Sequence, residues 1–291
     1  MAFRFAFITD THLYPDAPEN FGDGAQQQKS SIEICTELIL QLNDFQPAFV
    51  IHGGDIVCGG DGFGTTSNQH EALLLEAKRL EKQLDAPCYY IPGNHDLDPV
   101  SGSKATYLDH FGVDGLGYSS FIHEDLRLIL LDSQEVPEDL AYGHIGERQI
   151  RWLQTELQKA ADANQEVLLF SHQLIFPPQE LQGLGARIDN SEAVLEILDR
   201  CDCLLATFHG HLHLNRVVKR KDVVYAITAA MICYPMMWRQ VFVESDHIRV
   251  RSCQLDLPAI VAKSAAATPD NNHARLGSGA DREFVIRRRQ K

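Results

Sequence analysis

Gly93-Asn94-His95-Asp96 sets an amide, an imidazole and a carboxylate side by side, directly after the apolar run Tyr89-Tyr90-Ile91 and Pro92. Four other turns carry the same kinds of side chain: Asp10-Thr11-His12, Gly54-Asp55, Ser171-His172 and Gly210-His211-Leu212-His213. From these turns, Asp10, His12, Asp55, Asn94, His172, His211 and His213 make an oxygen- and nitrogen-rich set without a thiolate. Imidazole with carboxylate suits manganese, iron, zinc, cobalt or nickel, and the lack of cysteine argues against a structural zinc site. Seven donors exceed what one tetrahedral ion takes. They suit two ions about 3.5–4 Å apart that share a carboxylate, an arrangement that activates water and clamps a phosphoryl group. Each turn alone is an ordinary polar loop. They form a site only if the elements that carry them bring them together.

Those elements are readable. Residues 3–9 (FRFAFIT), 48–52 (AFVIH) and 88–91 are short apolar runs that predict buried strands, each ending in one of the polar turns. Between them, residues 27–45 and 68–84 carry apolar residues at helical spacing, the first stopping before Pro47. Strand–helix alternation predicts right-handed βαβ units and a mainly parallel sheet. Ligands of such sheets sit beyond the carboxyl ends of the strands, where the turns after residues 9, 53 and 92 lie. Residues 126–131, 167–170 and 203–208 predict further strands, ending at Asp132, Ser171-His172 and the GHLH turn. Helices are expected around 147–161 and 193–198, the latter capped by Asp189-Asn190-Ser191. Strands at 223–228, 240–244 and 248–254, joined by short polar turns, predict a second and largely antiparallel sheet packed on the first. Residues 262–281 hold almost no large apolar side chains and read as a flexible connector, followed by an edge strand at 283–288. The expected organisation is one domain over residues 1–260 and a C-terminal extension over 261–291.

In order and in placement at strand ends, the series D10-T-H12, G54-D55, G93-N94-H95-D96, H172 and G210-H211-L212-H213 resembles the calcineurin-like metallophosphoesterase superfamily, over roughly residues 3–255. The resemblance implies a four-layer α/β/β/α sandwich with two mixed sheets. It further implies a first metal on Asp10, His12 and His213, a second on Asn94, His172 and His211, and Asp55 bridging the two. A hydroxide between the ions would be the nucleophile, with His95 facing the substrate as general acid or as a stabiliser of phosphoryl oxygens. The ions implied are manganese, iron or zinc. Three features depart from common family patterns. The GDxxD turn reads GDIVC here, with Asp61 three residues beyond Cys58, and Gly59-Gly60 stand where protein serine/threonine phosphatases place an arginine. GNHD also replaces their GNHE, so phosphoprotein is a poor substrate. The segment from His172 to His213 is more similar to the branch acting on small phosphodiesters and nucleotide-like molecules. A phosphomonoesterase of the same fold and a non-catalytic metal-binding scaffold are the alternatives.

Composition sets the bounds. A formal net charge of -14 repels long polyanions, so nucleic acid and acidic membrane surfaces are unsuited partners and a nuclease is disfavoured. Two divalent ions, two carboxylates and a hydroxide would leave the site at about +1, which suits a small phosphorylated substrate. No uncharged apolar stretch approaches the ~20 residues of a membrane helix. The opening run leaves no room for a signal peptide, and seven scattered cysteines suggest reduced thiols, Cys201 and Cys203 included. Both points predict a cytoplasmic protein. Among the remaining polar residues, His209 reads as the last residue of a strand. Asp96 reads as an acceptor that orients a ligand, Asp132 as a cap or supporting group, and the basic run 287–291 as a solvated end.

Overall fold

The computed structural model describes residues 2–18, 21–60, 63–135, 142–184 and 186–289; Asp61 lies outside the described residues. The first half of the chain forms β1 (Phe3–Ile8), α1 (Ser31–Phe45), β2 (Val50–His52), α2 (Ser67–Glu81), β3 (Cys88–Tyr90), α3 (Ala105–Phe111), β4 (Ser119–His123) and β5 (Leu126–Leu130). Next come α4 (Glu147–Asp162), β6 (Glu166–Phe170), α5 (Ser191–Leu198), β7 (Leu204–His209), β8 (Arg216–Arg220) and β9 (Val223–Ile227). The chain closes with β10 (Met237–Val243), β11 (His247–Gln254), α6 (Pro258–Ala267), α7 (Asn272–Leu276), α8 (Gly279–Arg282) and β12 (Glu283–Arg287).

Two six-stranded sheets result, ordered β12-β11-β10-β1-β2-β3 and β4-β5-β6-β7-β9-β8. The parallel strands are divided between them: β1-β2-β3 in the first and β5-β6-β7-β9 in the second. This corrects the expectation that residues 223–254 build a separate, largely antiparallel sheet. β9 extends the second sheet in parallel, while β10 and β11 join the first. The cause is the burial of β1. Phe5 to Ile8 are buried, so the backbone needs ladder partners on both edges. β2 supplies one edge and antiparallel β10 the other, with Phe5 opposite Val241.

The sheets pack face to face on an aromatic layer. Phe5 stacks on Phe49 at 4.9 Å and Phe170 on Phe208 at 5.2 Å, with Phe7 5.5 Å from Phe170. On the outer face of the first sheet, Ile34, Leu38 and Leu42 of α1 pack with Met231 and Trp238. On the outer face of the second, Leu153 and Leu157 of α4 and Val194 and Leu198 of α5 pack on Ile129, Val167 and Leu169. Helix, sheet, sheet, helix: these are the four layers of an α/β/β/α sandwich with two mixed sheets.

Three local expectations are corrected. Residues 262–281 are mostly helical, not a flexible connector, because polar anchors do the work that apolar residues would. Ser264 Oγ accepts from the Tyr234 amide at 2.7 Å and donates to the Ala25 carbonyl. Asp281 accepts from the amide of Ser278, the N-cap of α8, and from the Val217 amide, both at 2.8 Å, and the buried Arg239 guanidinium donates to the Asp281 carbonyl at 3.1 Å. Arg288, expected in a solvated tail, is buried between Glu166 and Asp125 at 2.6 and 2.7 Å. Cys201 and Cys203, expected as thiols, form a disulfide, because the turn between α5 and β7 brings their Cα atoms to 5.3 Å. Among the described residues, no helix is long and apolar enough to cross a membrane.

Candidate metal centre

Strand ends from both sheets converge on one buried cluster. Asp10 and His12 follow β1, Asp55 follows β2 and Asn94 to Asp96 follow β3. His172 follows β6, and His211 and His213 follow β7. Asp10, His12, Asp55 and His213 offer donor atoms that lie within 4.8 Å of one another, as do Asp55, His172 and His211. The two sets share Asp55. His213 Nε2 stands 3.2 Å from Asp10 Oδ1, His12 Nε2 3.5 Å from Asp55 Oδ2, and His172 Nε2 3.1 Å from Asp55 Oδ2. Asn94 is buried beside the second set, its Oδ1 3.5 Å from the side-chain Nε2 of Gln173, the residue after His172.

The backbone is bent to achieve this. Asp10, His12, Asp55, His211 and His213 all have positive φ, between 41° and 69°. That left-handed conformation is uncommon for residues other than glycine, and clusters of it mark functional sites. Glycine is required where the turns touch. A Cβ on Gly93 would stand 2.2 Å from Asp55 Oδ1, and one on Gly210 would stand 2.6 Å from Asp10 Oδ2.

Neighbouring groups set the direction of each donor. His172 Nδ1 lies 2.8 Å from the Gly53 carbonyl, which makes Nδ1 the protonated nitrogen and turns the Nε2 lone pair toward Asp55. His95 Nδ1 lies 3.0 Å from the Gly59 carbonyl, so its Nε2 is likewise free, but His95 belongs to neither donor set. His213 Nδ1 has the Cys233 sulfur at 3.7 Å. Asp10 accepts from Thr9 Oγ1 at 2.7 Å and from the His211 amide. Asp96, expected to orient a ligand, does so through backbone amides. Its Oδ2 accepts from the amides of Asp55 and Gly93, both at 2.8 Å, and its Oδ1 from those of Ile56 at 2.8 Å and Val57 at 3.3 Å.

The donor chemistry fits cations. Burial alone would raise the Asp10 carboxyl, yet His213, His12 and His172 hold it well below the usual carboxylate range; Asp55 is depressed in the same way, chiefly by His172. Burial opposes a charge on His172, but Asp55 and Asp10 outweigh it and push the imidazole up to about 9. Two ionised carboxylates buried this deeply demand positive charge close by. The Nε2 atoms of His12 and His213, 3.2 Å apart, and the Nε2 of His172, 3.1 Å from Asp55 Oδ2, face the same space, where a cation would take the place of the proton that Asp55 draws onto His172. A pair of cations meets all of these demands.

Other polar residues of the neighbourhood are accounted for elsewhere. His209 is fully buried between Ser171 and Thr207. His52 contacts Thr11 Oγ1 at 3.0 Å, and Asp132 pairs with Lys104. Sequence reasoning missed Gln173, Cys233 and Phe63. Gln173 was findable as the polar residue after His172, and Phe63 as the lone aromatic in a glycine-rich loop. Cys233 carries no local signal.

Comparison with known proteins agrees with the geometry. The family model described as calcineurin-like phosphoesterase matches residues 3–215. A probable glycerophosphodiester phosphodiesterase of Arcobacter nitrofigilis is 28% identical over 214 residues, covering 71% of this chain and 70% of that protein. A 3',5'-cyclic adenosine monophosphate phosphodiesterase of Haemophilus influenzae is 25% identical over 206 residues, covering 71% and 68%. Among solved structures, a dimetal phosphatase from Danio rerio superposes with a TM-score of 0.68 at 18% identity, over 87% of this chain and 96% of that one. A matching family model over most of its length and a shared-carboxylate donor cluster identify this chain as a member of the calcineurin-like phosphoesterase family, a metal-dependent phosphoester hydrolase with a dinuclear site.

Proposed function

We propose that the chain hydrolyses a small, nucleotide-like phosphodiester. In this reading Asp10, His12 and His213 hold one ion, Asn94, His172 and His211 the other, and Asp55 both. When bound, such a pair supplies Lewis acidity and lowers the pKa of water. The observation that carries the reading is His95. It stands against the cluster, its ring centroid 5.2 Å from that of His12, and Gly59 occupies its Nδ1 while neither donor set uses it. Burial, more than any charge, lowers it to about 4, so it works as a neutral imidazole. Its Nε2 is then an acceptor toward attacking water, and its protonated form a donor to the departing alkoxide.

Aromatic rings beside it favour a nucleotide-like substrate over a glycerol-like one. Phe63 meets the His95 ring at 4.3 Å, Phe21 stacks on Phe63 at 5.2 Å, and Tyr14 meets Phe21 edge-on at 5.6 Å. Stacking of a base on such a ring contributes about 1–3 kcal/mol. We place the reaction in the cytoplasm, where Cys35, Cys58, Cys88, Cys233 and Cys253 stay as thiols. The test compares bis(4-nitrophenyl) phosphate with 4-nitrophenyl phosphate in manganese. Diester hydrolysis should dominate and vanish in His211→Ala; a strong monoester preference, or activity retained in that variant, overturns the reading. Phe63→Ala should raise KM for a cyclic nucleotide about 5- to 100-fold and leave KM for a glycerophosphodiester unchanged.

A further inference from the structure

The second sheet has a cleft at its other end, away from the metal loops. It is about 510 Å³ and lies where β6 and β7 begin, with Glu166, Leu157 of α4, Arg200, Arg289 and the Cys201–Cys203 disulfide in its walls. The disulfide closes a loop with one residue between its cysteines. A cross-link stabilises by limiting the unfolded chain, and the effect is smaller the shorter the loop it closes, so this bridge is a poor staple. Its two sulfurs differ in access. Cys203 is buried, its sulfur 3.9 Å from the Leu157 carbonyl, whereas Cys201 is half-buried at the cleft wall. Arg200 and Arg289 bring two guanidinium groups to the same lining, with Glu166 and the exposed Asp202 as its carboxylates. Arg200 is mostly exposed, with Glu196 at 3.9 Å.

We propose that this cleft is a thiol–disulfide exchange site for a low-molecular-weight thiol that carries carboxylates. The arginines take the carboxylates, which brings the sulfur to Cys201. The thiol reacts as its thiolate, having given up its proton to solvent. It attacks Cys201 Sγ, the more accessible sulfur; a bond forms between the two, the Cys201–Cys203 bond breaks, and its electron pair leaves on Cys203 Sγ, which takes a proton from water. A second equivalent of the thiol, again as thiolate, attacks the small-molecule sulfur of the mixed disulfide; the bond to Cys201 breaks and its electron pair leaves on Cys201 Sγ, which takes a proton from water. This releases the symmetrical small disulfide and leaves Cys201 as a thiol. The two protein sulfurs are reduced by two electrons and two small thiols are oxidised. The chemistry is separate from phosphoester hydrolysis and stands whether or not that substrate assignment holds.

The test uses the full chain under native conditions. Reduced glutathione is the anionic probe and 2-mercaptoethanol the neutral one, with alkylation and peptide mass spectrometry to count thiols at Cys201 and Cys203. Both cysteines should become alkylatable in the folded protein, and the rate with glutathione should fall at least fivefold in Arg200→Ala with Arg289→Ala while the rate with 2-mercaptoethanol is unchanged. In Cys203→Ser, oxidised glutathione should leave one adduct, at Cys201. If the bridge opens only on unfolding, or if the arginine exchanges slow both thiols equally, the proposal fails. An adduct spread over other cysteines in Cys203→Ser also overturns it. Should Cys203→Ser not fold, the wild-type rates and the arginine double variant decide alone.

Discussion

Asp96 carries a prediction that can be worked from distances. Each of its oxygens takes two backbone amides: Oδ2 those of Asp55 and Gly93, Oδ1 those of Ile56 and Val57. Asp96→Asn keeps the shape but turns one oxygen into an NH2 group. Whichever way the amide settles, two of the four buried N–H groups then face a donor. A buried donor left without an acceptor costs about 1–3 kcal/mol, so the exchange should destabilise the fold by about 2–6 kcal/mol. That is a large share of the roughly 5–15 kcal/mol by which domains exceed their unfolded chains. The orphaned amides belong to the turns that place Asp55 and Asn94, so manganese affinity should fall about 10- to 100-fold as well. Urea unfolding monitored by far-UV circular dichroism gives the first quantity, and metal analysis after dialysis against graded manganese gives the second. Stability within 1 kcal/mol of wild type, together with unchanged metal content, would refute the role assigned to this carboxylate.

Other outcomes follow from the same geometry. His95→Ala should keep both ions but lose about 10²–10⁴ in kcat, whereas Asn94→Ala should weaken one ion selectively; metal content alongside kcat separates the two, and an emptied site in His95→Ala contradicts the division. Gly93→Ala drives a Cβ onto Asp55 Oδ1 at 2.2 Å, so titration with manganese should show at least tenfold weaker binding with circular dichroism unchanged. Arg288→Ala leaves the buried Glu166 carboxylate without its guanidinium and should cost about 3–5 kcal/mol in urea unfolding while kcat stays at the wild-type value. The hydrogen bond from Arg220 holds the Asp199 carboxyl down at about 2. A depressed carboxyl contributes stability above its unfolded value of about 3.9 and loses it as pH falls through about 2, so Asp199→Asn should flatten the acid side of the stability curve between those limits.

The placement of the cluster was legible because topology does most of the positioning. A polar residue just past the carboxyl end of a parallel strand has one edge of the sheet to occupy, and the motifs after β1, β2, β3, β6 and β7 all meet this condition. Strands rich in phenylalanine and leucine announced themselves for the same reason. What was hidden depends on pairing across distance. Residues 223–254 look antiparallel in sequence because their turns are short, and nothing local tells β10 to seek the open edge of β1. The helices after residue 258 are held by single polar contacts such as those of Ser264 and Asp281, which leave no periodic apolar pattern. Arg288 looked solvated because its partners, Glu166 and Asp125, lie more than a hundred residues away. The Cys201–Cys203 pair was passed over because seven cysteines, an odd and scattered set, suggested reduced thiols, and only the turn between α5 and β7 brings these two together.

The site itself opposes folding, and the sandwich behind it explains how the chain tolerates this. Five cluster residues sit in left-handed backbone, at a cost of about 1 kcal/mol or more each for residues other than glycine. Two buried carboxylates add their desolvation. Against this stand Phe5, Phe7, Phe49, Phe170 and Phe208, each at most 1% exposed. Fully burying each of these side chains contributes about 1.5–3 kcal/mol, which is of the same order as the strain of the five turns. The same strands carry both loads: Phe7 stands three residues before Asp10, and Phe208 three before His211. The aromatic layer therefore fixes the ends from which the donors project. Since the turns cannot relax without moving strands that are packed on both faces, the donor atoms stay convergent despite the repulsion between Asp10 and Asp55. A cation removes that repulsion and leaves the strain unchanged, so the bound ions gain affinity from an arrangement that the core has already made.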